Sequence, residues 1–120
     1  MGAFRRAIRA GVPCVMVGHA FYARFGARRA SFSRRAYELM RRTGFGGVAI
    51  TDSVSVFGCP EAVPSAPKAV LAGADLVLFT NRPDARRAIR ALIPLARRGL
   101  LDEHVWRVLE MRHSFGLTQP

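Results

Sequence analysis

Three short apolar runs recur along the chain at intervals of about 30 residues, which is the size of one strand-helix-strand unit. They occupy residues 14–18 (CVMVG), 48–51 (VAIT) and 76–80 (LVLFT). Each run is continuously apolar and does not alternate with polar residues, as in strands that are buried on both faces of a sheet. The pattern therefore predicts three parallel strands with helices between them.

Helical segments separate these runs and extend beyond them. The segment 65–72 shows the signals clearly, because Ser65 can cap its start, Pro67 lies in its first turn and a glycine follows its end. A segment at 84–98 has apolar residues at helical spacing, and Pro94 should kink or split it. The predicted order is α-β-α-β-α-β-α-α, an α/β fold, with helices at residues 3–10, 33–43, 65–72, 84–98 and 102 to about 114.

The chain length limits what these elements can build. At 120 residues the protein is one domain, and three strands make either a small open sheet or part of a (β/α)8 barrel, whose full length is about 250 residues. Composition does not choose between the two. The longest stretch without charged residues, 10–23, contains Pro13 and falls short of the ~18 apolar residues of a membrane helix. We therefore do not expect this chain to be an integral membrane protein.

The charge balance raises the question of anionic partners, because 19 basic and 8 acidic residues give a net charge of +11. Lys68 is the only lysine, however, and so complete an arginine bias fits codon composition as well as phosphate binding. Arg86, Arg90 and Arg97 share one side of the predicted helix at 84–98, yet no helix-turn-helix, RNA-binding or zinc-finger pattern accompanies them. We expect solvated outer helix surfaces here, and a nucleic-acid partner is the weaker interpretation.

Metal sites and targeting signals find little support in the sequence. The three histidines, at 19, 104 and 113, lack metal-ligand spacing, so we expect no metal and no cofactor. His104 and His113 fall on the last predicted helix, where we expect surface residues. The apolar run that follows Arg5 and Arg6 is too short for a secretory signal. We expect the chain as given to be cytoplasmic, although a longer parent could be exported.

Two polar residues follow the first two apolar runs, His19 after VMVG and Asp52 after VAIT. Side chains that follow the carboxyl ends of parallel strands converge on the open end of the sheet, where such folds bind ligands. From position alone, Asp52 could equally be a turn former and His19 an internally hydrogen-bonded residue. Both interpretations are open at this point.

The chain resembles glycoside hydrolase family 3, especially its bacterial β-N-acetylhexosaminidases, in the order and spacing of several strings. The most specific are G-F-x-G-V-x-I-T-D at residues 44–52 and A-G-A-D-L at residues 72–76, and further strings are VMVGHA, FGARRASFS and LLDEHVWRVLEMRHSFGL. The resemblance covers almost the whole chain. It implies that residues 1–120 are a single partial domain, the later half of a (β/α)8 barrel, with the three runs as barrel strands six to eight.

The resemblance also implies roles for the two polar residues. Asp52 falls on the family's catalytic nucleophile, and His19 falls on a histidine that would line the sugar site and bind substrate. The chemistry agrees for Asp52, since a retaining glycosidase needs a carboxylate at the anomeric carbon and a proton donor for the leaving oxygen. A short aspartate side chain at a strand end also suits accurate positioning.

The chain departs from the family pattern at several positions. Gly46 stands where the family usually has aspartate, Ser53 where it has a second acid or small residue, and Val56 where methionine is frequent. More seriously, the hexosaminidase branch takes its acid/base from a His-Asp pair in a loop beginning K-H-F-P-G-H-G, and this string is absent. Loss of general acid catalysis costs about 10²–10⁴ in rate. We therefore expect the isolated chain to be inactive, as a fragment of a longer enzyme or a degenerate gene product.

Half a barrel would expose two sheet edges and an apolar inner face. We expect the chain to pair with the missing N-terminal half or to self-associate, and we expect Trp106, Phe115 and Leu117 to pack the last helix against the outside of the barrel. A carbohydrate substrate is the partner that the resemblance implies. Two other functions stay open: a non-catalytic sugar-binding or interaction remnant and, with less support, a basic nucleic-acid-binding protein.

Overall fold

In the computed structural model, the described residues, 2–57 and 62–117, form five α-helices and two strands. In chain order these are α1 (Gly2–Arg9), β1 (Cys14–Val17), α2 (Arg34–Arg41), β2 (Val48–Thr51), α3 (Ala62–Ala72), α4 (Arg82–Ala96) and α5 (Asp102–Ser114). Short 3₁₀ turns at Ala23–Phe25, Ala30–Phe32 and Val54–Phe57 lie in the connections. The predicted α/β fold class is confirmed, together with the five helices and the first two strands.

The two strands lie side by side and run parallel, as predicted. Cys14 is aligned with Val48 at one end of the pair and Val17 with Thr51 at the other. The entry to β2 is tight, since the amide of Val48 donates to the carbonyl oxygen of Pro13 at 2.9 Å. A Cβ atom on the preceding Gly47 would overlap that same oxygen, so a larger residue does not fit there.

The third predicted strand is reduced to a single parallel bridge between Ile50 and Leu76. The prediction of three strands was therefore wrong for residues 76–80. The reason is that β2 ends at Thr51, so the residues of the run that follow Leu76 have no strand backbone beside them to pair with. The amide of Leu78 donates to the side-chain Oγ1 of Thr51 at 3.2 Å, and its carbonyl accepts from the amide of Val54, in the turn, at 3.0 Å. A side chain and a turn thus take the hydrogen bonds that a longer strand would have made.

Two helices begin two or more residues before their predicted starts, and the ends of α1 and α2 differ by one or two residues. Helix α3 begins at Ala62, so Ser65 lies within it and is not its cap. Helix α4 begins at Arg82 because the side chain of Asn81 caps it by accepting from the amide of Asp84 at 2.9 Å. It continues to Ala96 without being split at Pro94. Every helix in residues 2–57 and 62–117 is too short or too polar to cross a bilayer.

The core lies on one face of β2, beneath helices α2 and α3. Small side chains let the helices approach the strand closely, and the large ring of Tyr37, only 2 % exposed, fills the remaining space. At Gly73 the backbone has φ of 127°, and a Cβ atom would lie 2.8 Å from the Cβ of Tyr37, so this position requires glycine. The buried cluster comprises Tyr37, Ala49, Ala69, Ala72 and Ala74.

The opposite face of the strand pair is more open. Met16 is aligned with Ile50, and its side chain is 54 % exposed. Because side chains alternate along a strand, Met16 points away from Val17, which packs against the buried cluster. This face of the sheet, defined by Met16 and Ile50, is called the uncovered sheet face below.

Helix α5 packs toward the sheet with a mixed polar and apolar face that does not include Trp106, contrary to the prediction. His104, Arg107, Val108 and Met111, spaced as one helical face, are partly buried. Trp106 lies on the other side and is 63 % exposed, and Phe115 and Leu117 are about as exposed. The expectation that these three residues pack the helix was therefore wrong. We call Val105, Trp106 and Leu109 the outer surface of α5.

Candidate active site

The fold brings His19 and Asp52 to the same end of the strand pair. Val17 and Thr51 are aligned at the carboxyl ends of β1 and β2; Asp52 follows Thr51 directly, and His19 follows Val17 after Gly18. The turn at Asp52 is tied back to β1, because its amide donates to the carbonyl oxygen of Val17 at 3.1 Å. This end of a parallel sheet is where open α/β and barrel folds bind ligands. The positions expected for the two residues are thus the positions found.

The side chain of Asp52 is exposed to solvent. Its Oδ1 accepts a hydrogen bond of 2.7 Å from the amide of the next residue, Ser53. This local bond orients the carboxylate at the end of β2. An accessible, oriented carboxylate has the chemistry of a nucleophile or of a ligand for sugar hydroxyls.

His19 bridges two segments that are distant in the sequence. Its Nδ1 lies 2.6 Å from Oγ of Ser31, and its Nε2 lies 3.1 Å from the carbonyl oxygen of Ser53. Its ring is also stacked on Phe32, with 5.9 Å between the ring centroids. The histidine is therefore held on both ring nitrogens and packed on a neighbouring aromatic ring. Its contact with the site passes through the backbone next to Asp52.

Ser31, which was not predicted as a site residue, connects His19 to the core. It is fully buried, and its carbonyl oxygen accepts from the hydroxyl of Tyr37 at 3.0 Å. Burial, and then the charge of Asp75, raises the pKa of Tyr37 above its ordinary value, so the hydroxyl stays protonated and can donate. Ser31 lies in the string FGARRASFS, but its contact with His19 spans 12 residues and is not visible in that string.

Ser53, named from the sequence only as a departure from the family pattern, also belongs to this site. Ser53 is 7 % exposed. Its Oγ is buried and has no hydrogen-bond partner, and it is the one such side-chain oxygen or nitrogen in the described part of the chain. Its backbone is well engaged, since the amide donates to Asp52 and the carbonyl accepts from His19. The backbone of Ser53 therefore joins the two candidate residues.

A cluster of charges lies at the other end of the strands, around Asp75. The carboxylate is completely buried and accepts from the amide of Ala49 at 2.8 Å and from Arg41 at 2.7 Å. Two side chains of α5, His104 and Arg107, also contact it, each at 2.9 Å. The cluster ties α2, β2 and α5 together. His104 was expected at the surface, and this contact is the reason that it is not.

Several opposing effects determine the charge state of Asp75. Burial by itself raises the pKa, but hydrogen bonds from His104, the amide of Ala49 and Arg107, with the charge of Arg107, outweigh it and lower the pKa below its ordinary value. Asp75 is thus a buried structural anion, at the end of the sheet opposite to Asp52. In residues 2–57 and 62–117, no group of three or more histidine, cysteine, aspartate or glutamate side chains could hold a metal ion.

Comparisons with known proteins show which sequences this chain is similar to. The model of the "Glycosyl hydrolase family 3 N terminal domain" matches residues 1–111. A "Beta-N-acetylglucosaminidase/beta-glucosidase" of Cellulomonas fimi is 34 % identical, over 95 % of this chain and 24 % of its own length. A "Beta-hexosaminidase" of Methylobacillus flagellatus is 35 % identical, over 70 % of this chain and 26 % of its own. The chain therefore spans about a quarter of the length of these relatives.

Solved structures show the same similarity in three dimensions. A glycoside hydrolase family 3 β-N-acetylglucosaminidase from Paenibacillus superposes with a TM-score of 0.86 at 28 % identity, over 98 % of this chain and 25 % of its own. A β-N-acetylhexosaminidase from Beutenbergia cavernae gives a TM-score of 0.83 at 31 % identity, over 93 % of this chain and 37 % of its own.

Proposed function

The chain belongs to glycosyl hydrolase family 3, and from this premise we propose that it carries the nucleophile of a retaining β-glycosidase. The substrates are β-N-acetylhexosaminides or β-glucosides, the two classes that the names of its relatives contain. Residues 1–120 correspond in this proposal to the later part of a (β/α)8 barrel. The observation that carries the proposal is the exposed carboxylate of Asp52, oriented by the amide of Ser53 at the carboxyl end of β2.

The proposed reaction has two steps. In the first, an oxygen of the Asp52 carboxylate attacks the anomeric carbon, the glycosidic bond breaks, and the leaving oxygen departs with the bonding electron pair. In the second, water attacks the anomeric carbon, loses a proton to solvent and releases the sugar from the carboxylate. Each step inverts the anomeric centre, so the product retains the β configuration.

The identity of the leaving group decides how far the present 120 residues can carry this reaction. The leaving group of a natural glycoside is an alkoxide, which needs a proton donor in order to depart. The acid/base string K-H-F-P-G-H-G, which would supply that donor, is not in this sequence. The rate without the donor is lower by about 10²–10⁴. A dinitrophenolate leaves without protonation, so activated substrates test Asp52 independently of the acid.

The first prediction follows from this difference. The chain should release dinitrophenolate from 2,4-dinitrophenyl β-glycosides of N-acetylglucosamine and glucose above the uncatalysed rate, and Asp52→Ala should return the rate to that background. Phenolate release from the unactivated phenyl glycosides should be at least about 10²-fold slower. Absorbance of the released phenolate measures both rates.

The matched control is Glu110→Gln, which removes an exposed acid on α5, away from the candidate site. It should keep the wild-type rate. Equal rates for wild type and Asp52→Ala would contradict the nucleophile assignment. Saturable binding of N-acetylglucosamine in NMR titrations with no Asp52-dependent release would instead support the sugar-binding function without catalysis.

A further inference from the structure

We propose that His19 is a positioning residue, which holds the Asp52 turn through the carbonyl oxygen of Ser53 and does not bind the sugar. This inference rests on the proposed function, because positioning matters only if Asp52 reacts. It replaces the substrate-binding role that the family resemblance implies for His19.

Both ring nitrogens of His19 already have partners within the protein. Nδ1 lies 2.6 Å from Ser31 Oγ and Nε2 lies 3.1 Å from the Ser53 carbonyl oxygen. A sugar hydroxyl would have to displace one of these bonds to reach a ring nitrogen. The stacking of the ring on Phe32 further limits its rotation.

The same two contacts decide which ring nitrogen carries the proton. A carbonyl oxygen only accepts hydrogen bonds, so Nε2 must carry the proton that is donated to Ser53. In the neutral ring, Nδ1 then accepts a hydrogen bond from the hydroxyl of Ser31. The contacts thus select the tautomer protonated on Nε2, which is a measurable property of the folded chain.

The bridge that His19 makes is anchored in the core. Ser31 is fully buried, and its carbonyl oxygen is held by the hydroxyl of Tyr37, which is itself 2 % exposed. A continuous series of contacts therefore runs from the buried cluster through Ser31 and His19 to Ser53. The amide of Ser53 donates to Oδ1 of Asp52 at 2.7 Å, so fixing Ser53 also orients the carboxylate.

Small displacements of a nucleophile have large kinetic effects, since a shift of about 1 Å can cost about 10²-fold in rate. Removing the His19 bridge should therefore slow the reaction of Asp52 with a bound sugar. It should leave the affinity for that sugar nearly unchanged, because the ring makes no contact with it in this proposal. A sugar-binding histidine would show the opposite pattern.

The test uses 2,4-dinitrophenyl 2-deoxy-2-fluoro-β-glucoside, which transfers the fluorosugar to a carboxylate nucleophile and releases dinitrophenolate. Labelling of the 120-residue chain is followed by intact-mass spectrometry over a range of reagent concentrations. The plateau rate reports the bond-forming step and the half-saturating concentration reports binding. Peptide mapping verifies that the label is on Asp52.

Two conservative variants separate the two contacts of the ring. The amide nitrogen of glutamine in His19→Gln reaches as far as Nε2 and can still donate to Ser53, whereas the shorter His19→Asn can reach only toward Ser31. We expect His19→Asn and His19→Ala to lower the plateau rate about 10- to 100-fold at an unchanged half-saturating concentration, and His19→Gln to restore most of it. A higher half-saturating concentration at an unchanged plateau rate in all three variants would overturn the proposal.

A measurement without any sugar keeps the two proposals separable. The ¹⁵N NMR spectrum of His19 should show the tautomer protonated on Nε2, and amide exchange at Asp52 and Ser53 should be faster in His19→Asn than in His19→Gln. The other tautomer, or equal exchange in the two variants, would overturn the positioning role. If the NMR results are as expected and wild-type Asp52 is never labelled, the proposed function fails, and the catalytic meaning of the bridge fails with it.

Discussion

Asp52 and Asp75 lie at opposite ends of the same strand, and their surroundings give them different capacities. Asp52 is exposed, and its Oδ1 accepts from the neighbouring amide. The carboxylate of Asp75 is fully buried and is engaged by Arg41, His104 and Arg107. A carboxylate surrounded by cations and closed to solvent has little access to a sugar. The same type of side chain thus suits substrate chemistry at one end of β2, in Asp52, and holds neighbouring elements together at the other end, in Asp75.

The role of Asp75 predicts both the size and the pH dependence of a stability change. Asp75→Asn should lower the free energy of unfolding by about 3 kcal/mol, because it leaves two arginines facing a neutral group. Since the folded-state pKa is lowered, the stabilisation is complete above the ordinary value of 3.8 and is lost as the pH falls below it. Urea denaturation followed by circular dichroism between neutral and acidic pH measures both effects.

The variant should therefore lose less stability than the wild type on acidification. Glu110→Gln, an exposed acid of α5, serves again as the control and should behave as wild type. A variant as stable as wild type at neutral pH would show that the cluster around Asp75 contributes little to the fold.

The positions of the candidate site residues could be predicted from the sequence, but their contact partners could not. The positions of His19 and Asp52 follow from the apolar runs that precede them, because the end of a strand is a local property. The partners of these residues do not, since the His19 contacts bridge 12 and 34 residues and depend on how the connections fold. The contact of His104 with Asp75 escaped prediction for the same reason.

At the scale of elements, the run at 76–80 shows why composition alone does not make a strand. Its residues are as apolar as those of β1 and β2, yet only Leu76 forms a bridge. The five helices and the first two strands were predicted correctly apart from their exact ends, whereas the extent of pairing depends on where the neighbouring strand ends. Thr51, the last residue of β2, replaces the missing backbone acceptor with its side chain.

Thr51 is therefore predicted to stabilise the third run through its hydroxyl. Thr51→Val keeps the shape of the fully buried side chain but leaves the amide of Leu78 without its acceptor. It should cost about 1–2 kcal/mol of unfolding free energy. Thr51→Ser keeps the hydroxyl and should retain the protection of the Leu78 amide in hydrogen exchange. Equal Leu78 protection in the two variants would contradict this role.

At the scale of the whole molecule, two of the apolar regions that are open to solvent within residues 2–57 and 62–117 matter for association. One is the uncovered sheet face, where Met16 is 54 % exposed, and the other is the outer surface of α5, where Trp106 is 63 % exposed. The open sheet face agrees with the idea of a partial barrel. The exposed α5 surface was not predicted, because helical spacing identifies an apolar stripe but the charges around Asp75 turn a different side of the helix inward.

These regions predict concentration-dependent association of the isolated chain. Sedimentation velocity should show an average mass that rises with protein concentration, because apolar surface of this kind favours association. Met16→Gln and Trp106→Gln test the two regions separately. The variant whose region mediates the contact should associate only at higher protein concentrations than the wild type. A constant monomer mass for the wild type over the whole range would contradict self-association.

The exposure of Trp106 has an optical consequence. It is the only tryptophan in the chain, so the intrinsic fluorescence comes mainly from a solvated indole on α5 and not from the interior. Unfolding should change its emission little, whereas any molecule that covers this helix should move the emission to shorter wavelength. The fluorescence of the single tryptophan therefore reports directly whether another molecule covers the outer surface of α5.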